Sequence, residues 1–67
     1  MFIYQDRIRY DEEWHNSFWL NIDKIVSIAP SIEEDRYFVF MVNDTSDYSY
    51  VIDQETFDKI MAEKGMI

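Results

Sequence analysis

The chain contains one glycine, Gly65, close to its last residue. Glycine is the residue that adopts a positive φ without steric penalty, and tight β-hairpins require that conformation. Any hairpin turn in the preceding 64 positions must therefore be built from Asn, Asp and Ser, whose side chains bond back to their own backbone. Acidic and polar clusters punctuate the chain at the spacing such turns need: Asp11–Glu13, Asn21–Lys24, Ser31–Asp35 and Asp44–Asp47.

Between these clusters the residues alternate with the period of half-buried strands. Strands are expected at about 2–10, 14–22, 25–29, 36–43 and 48–52. In the first, Phe2, Tyr4, Ile8 and Tyr10 share one face, interrupted by Asp6. In the second, Trp14, Phe18, Leu20 and Ile22 share a face with Asn16, opposite His15, Ser17, Trp19 and Asn21. The third is stopped by Pro30, which has no N–H to give to a ladder. The fourth is apolar on both faces, with Phe38, Phe40 and Val42 on one and Tyr37, Val39 and Met41 on the other. A run of that kind marks a strand covered on two sides.

The remainder has the period of a helix, expected at about 54–64. Asp53 is a good N-cap, and Glu55 lies in the first turn, where the helix dipole favours an acid. Phe57, Ile60 and Met61 form one apolar stripe, and Gly65 is placed to end the helix. The expected fold is a single domain over 1–67: mostly β, in the α+β class, a five-stranded antiparallel meander or small barrel with one C-terminal helix.

A domain of 67 residues buries only about 60% of the surface of its unfolded chain. No cysteine can form a disulfide, and one histidine cannot supply a structural zinc site. Two compensations remain. Twelve aromatic residues (two Trp, five Tyr, five Phe) supply buried area, and oligomerisation can extend the core.

The 14 acids outnumber the six Lys and Arg, giving a net charge of −8. That balance opposes direct contact with a nucleic-acid backbone or an anionic membrane, which bind through basic residues. The first ten residues carry Asp6, Arg7 and Arg9 and so lack the apolar run of a signal peptide, and no stretch is long and apolar enough to span a bilayer. The expected compartment is the cytoplasm of the producing or host cell.

In a meander, successive turns alternate between the two ends of the sheet. Turns one and three, with the start of the helix, then gather Asp11, Glu12, Glu13, Glu33, Glu34, Asp35, Asp53 and Glu55 at one pole. Arg9 and Arg36 partly offset it, while Asp23, Asp44 and Asp47 go to the other end. Such a pole speeds encounter with a basic protein surface and makes binding salt-sensitive.

A second candidate surface is the aromatic face of Trp19, Tyr37, Val39 and Met41. It is covered either by the helix stripe or by a protein partner, and a homodimer through it would offset the small core.

No catalytic, metal or cofactor site is expected. There is no Cys nucleophile, no Ser–His–acid arrangement around His15, and no glycine-rich phosphate loop. Asp44–Asp47 and Glu33–Asp35 do not follow the EF-hand pattern. Tyr37, Phe38 and Phe40 lack the flanking basic residues of a base-stacking platform.

From Phe18 to Met61 the chain resembles the small flagellar FlbD-type domains: Leu20-Asn21-Ile22-Asp23-Lys24-Ile25, then a hairpin at Tyr37–Ile52, then the acid-capped helix Asp53–Met61. The resemblance implies a small β-domain with one terminal helix and carries no function. In size and charge the chain is also similar to phage-encoded inhibitors of host or defence enzymes, some of which mimic DNA. The expected function is non-enzymatic: an acidic inhibitor or adaptor acting by protein–protein contact. Two alternatives are an oligomeric nucleotide-binding or sequestering protein and a passive structural subunit.

Overall fold

A computed structural model describes residues 1–42 and 50–65. The expected Asp44–Asp47 turn and the first residues of the expected fifth strand lie outside the described residues. The described elements are β1 (Phe2–Gln5), β2 (Ile8–Tyr10), β3 (Glu13–His15), β4 (Phe18–Asn21), a 3₁₀ turn (Ile22–Lys24), β5 (Ile25–Pro30), β6 (Arg36–Met41), β7 (Tyr50–Asp53) and α1 (Gln54–Glu63).

The protein is mostly β with one C-terminal helix, and its seven described strands form three small antiparallel sheets that do not close into a barrel. β1 pairs with β4 and β2 with β3, making one long hairpin folded at its middle. β5, β6 and β7 pair in that order.

Each of the first two expected strands is thus broken in two. The break in the first follows from local chemistry: Asp6 Oδ1 accepts from the Arg7 N–H at 2.8 Å, and the Asp6 carbonyl accepts from Gln5 Nε2 at 2.8 Å. Side chain to backbone bonds of this kind compete with the ladder. Asn16 and Ser17 break the opposite strand at the same level.

The break shifts the alternation, which corrects the expected faces. Phe2 and Tyr4 are exposed, whereas Ile8 is buried and Tyr10 half-buried. Trp14 is exposed, away from Phe18, Leu20 and Ile22.

The glycine deficit is met by acids. Tyr10 opposes Glu13, so Asp11 and Glu12 form a two-residue turn, and their φ values are 53° and 64°. Positive φ at both central residues is the pattern that matches strand twist in tight hairpins. In the β5–β6 turn Asp35 has φ 60°, and Ser31 Oγ both accepts from the Glu33 N–H and donates to its carbonyl.

The core is Leu20, Ile22, Val39, Ile52 and Ile60, drawn from the hairpin, the three-stranded sheet and the helix. Each buried aliphatic side chain contributes about 1.5–3 kcal/mol. The helix is capped by Asp53, whose side chain accepts from Thr56 N–H, and Gly65 at φ 69° follows its last turn. Its stripe packs inward: Ile60 is buried, and Phe57 and Met61 lie against the core.

The helix therefore covers the Tyr37–Val39–Met41 side of β6. Val39 is 0% exposed, while Phe40 and Val42 face solvent. Cover by the helix stripe is one of the two outcomes expected for that face; Phe38, Phe40 and Val42 form the other face. Of the three, Phe38 is half-buried, its ring meeting Tyr10 edge-on at 5.6 Å.

Candidate functional site

The acidic turns meet. Asp11 N–H donates to Glu33 Oε2 at 2.7 Å, so the β2–β3 turn is bonded to the β5–β6 turn. Beside this bond, Arg36 Nε donates to the Arg9 carbonyl at 3.0 Å and its Nη1 to the Asp35 carbonyl at 2.9 Å. Arg36 thus ties the two turns through backbone oxygens. No carboxylate within 4.0 Å of it forms an ion pair among the described residues.

Asp11, Glu12, Glu13, Glu33, Glu34 and Asp35 are all exposed. Asp11, Glu12 and Asp35 are also the non-glycine residues with positive φ among those described. A left-handed conformation costs an L-residue roughly 1–2 kcal/mol, and Glu tolerates it less well than Asn or Gly.

Asp53 and Glu55 have different surroundings. Asp53 opposes Arg36 in the β6–β7 register, which sets it beside the turns. Its carboxylate, however, is occupied: Oδ1 caps Thr56 N–H at 2.9 Å and Oδ2 accepts from Gln5 Nε2 at 3.2 Å. Partial burial works against ionisation and is the largest single influence on this acid. The bonds from Thr56 and Gln5 and the charge of Arg36 together outweigh it, leaving the pKa below its usual value. Glu55 pairs with Lys59 at 3.4 Å. Both acids line an open groove of about 220 Å³ with Tyr4, Asp6, Thr56 and Lys59. Asp53 is thus a structural cap, and Glu55 belongs to a groove at the helix start.

The helix stripe covers three residues of the expected aromatic face and leaves the fourth, Trp19, outside. Val39 is fully buried, Tyr37 stacks on Phe57 with ring centroids 4.0 Å apart, and Met41 packs against the core. Trp19 is 67% exposed and faces outward with Tyr4, their ring centroids 5.1 Å apart. The sequence pattern grouped them because it could not see which side the helix would choose.

Two features escaped the sequence reading. Gln5, fully buried, binds the backbone and side chain of Asp53. Arg7 and Arg9 lie over the exposed Trp14 ring, 4.3 and 5.8 Å from its centroid. The second was accessible: a two-residue turn at Asp11–Glu12 places Arg9 opposite Trp14.

His15 is half-buried against the Tyr10 ring. Among the described residues no three His, Cys, Asp or Glu side chains are grouped to hold a metal ion. No described helix is long and apolar enough to cross a membrane. Comparison with protein-family models, curated proteins and solved structures finds no match for this chain.

Proposed function

We propose that this protein acts without catalysis, as an inhibitor or adaptor whose joined acidic turns dock on a basic protein surface. One observation carries the reading: the residues held at positive φ in both turns are acids. Asn-Gly would form the first turn with less strain, yet the chain places Asp11 and Glu12 there. Strain retained at a surface site is a mark of function. The result is a cluster of six exposed carboxylates on two turns joined by the Asp11–Glu33 bond and by Arg36.

Such a surface suits a groove lined with Lys and Arg, including one that binds nucleic acid; occupation of that groove would be mimicry of the phosphate backbone. Complementary charge of this kind acts chiefly on the rate of encounter and is weakened by salt.

A pull-down from host lysate, run at low and high salt with the wild type and with E33K/E34K/D35K, tests the proposal. The expected result is a basic protein captured by the wild type, released by salt and absent with the variant. Equal capture by both chains would sink it.

A further inference from the structure

β5 forms one edge of the three-stranded sheet, with no strand beyond it among the described residues. Its Ser31 end is fixed toward β6, since Ser31 N–H donates to the Arg36 carbonyl at 3.0 Å. Alternation along the antiparallel ladder turns Ala29 to the same side and directs the Ile28 N–H and carbonyl, and the Pro30 carbonyl, to the open edge. Pro30 fits because its missing N–H would have faced outward, the placement that edge strands permit.

Along this edge runs a groove of about 220 Å³ lined by Ile25, Val26, Ser27, Ile28, Met61 and Lys64. Val26, at the β-bulge, is 66% exposed, and Ile32, just past the strand, is 100% exposed. The charges at the two ends of the edge are opposite. Lys24 immediately precedes β5, and Lys64 lines the groove; the nearby acid Asp23 is already bonded to the Met1 ammonium at 2.6 Å. Glu33, Glu34 and Asp35 follow the other end.

We infer that the β5 edge pairs antiparallel with β5 of a second copy of this chain, forming a two-fold dimer with a continuous six-stranded sheet. Centred on Ile28, the pairing lets the outward Ile28 groups exchange hydrogen bonds with those of the other copy. It sets Ile32 of each chain opposite Lys24 of the other, at the mouth of the apolar groove. The acidic turn of each chain then lies beside Lys24 and Lys64 of its neighbour. This charge match selects a second copy over an unrelated strand: an antiparallel two-fold sets each acidic end against the basic end of the other copy, with Asp23 already held by the Met1 ammonium. The bulge and Pro30 keep the paired segment short, so the groove and the charges carry much of the affinity. The inference does not rest on the acidic-surface proposal, with which it shares Glu33, Glu34 and Asp35: a basic partner at these acids competes with the dimer.

Sedimentation equilibrium of the whole chain tests it. The expected species is a dimer of the 8.2 kDa chain. Val26→Lys and Ile32→Lys, both at exposed positions, should weaken it at least about tenfold while leaving the far-ultraviolet circular dichroism unchanged. Two charge variants, K24E/K64E and E33K/E34K, should each be monomeric alone and form a heterodimer when mixed. A wild type that stays monomeric up to about 1 mM overturns the inference. So does a dimer indifferent to Val26→Lys and Ile32→Lys, or charge variants that do not associate on mixing.

Discussion

Gln5 grips Asp53 at two points: its Oε1 accepts from the Asp53 N–H at 3.1 Å, and its Nε2 donates to the Asp53 carboxylate at 3.2 Å. One buried amide thus joins the folded hairpin to the junction of β7 and α1. Both partners need the contact, because the side chain of Gln5 has no access to water.

Gln5→Leu should therefore cost about 1–3 kcal/mol, since it leaves the Asp53 N–H without its partner. Gln5→Glu should be at least as harmful at neutral pH, because it sets a second carboxylate against Asp53. Crowding and burial raise the pKa of that new acid, so its penalty should shrink as the pH falls through the raised value. Urea unfolding of both variants across pH checks the two effects.

Asp53 itself predicts an acid-sensitive contribution to stability. Its folded pKa lies below the ordinary value of 3.8. The linked stability is fully present above about 3.8, and is lost as the pH drops through the lower folded value. Asp53→Asn keeps a good N-cap and should remove this acid-sensitive component, whereas Asp53→Ala should cost about 1 kcal/mol or more at neutral pH. Unfolding curves at neutral pH and below pH 3.8 separate these outcomes.

Tyr37 and Phe57 are stacked at an interplanar angle of 7°, and the Tyr37 hydroxyl donates to Gln54 Oε1 at 2.8 Å. Tyr37→Phe should lose only the hydroxyl bond, about 0.5–1.5 kcal/mol. Phe57→Ala should lose more, about 2–4 kcal/mol, and loosen the helix from β6. Thermal unfolding, with near-ultraviolet circular dichroism for the ring packing, measures both.

The strained first turn predicts a trade between stability and binding. Asp11→Asn with Glu12→Gly should stabilise the fold by about 1 kcal/mol by relieving the positive φ at both positions. The same pair should weaken capture of the basic partner. A rise in melting temperature without loss of capture would separate the turn from the binding surface.

Helix α1 was legible in the sequence because its signals are local. Asp53 caps, Phe57, Ile60 and Met61 repeat at helical spacing, and Gly65 ends it. The turns at Asp11–Glu12 and Ser31–Asp35 were legible for the same reason: polar clusters interrupt the alternation. Asp6 and Asn16 were visible as polar interruptions of an apolar face, but not as breaks in the strands. Alternation cannot show where a side chain will bond its own backbone and shift the register. The bonds between turns one and three, Asp11 to Glu33 and Arg36 to Arg9, depend on atomic distances that no sequence pattern carries.

By itself the sequence determined the composition of this protein's surface and the sites of its turns, since a chain with glycine only at position 65 must turn on acids and amides. Tertiary structure alone decided which face of β6 the helix covers, and so buried Val39 and half-buried Tyr37 while leaving Trp19 outside. It also made Asp53 a clasped cap and left the turn acids exposed. Burial is a property of the assembled layers, and strand periodicity is the same for either choice of side.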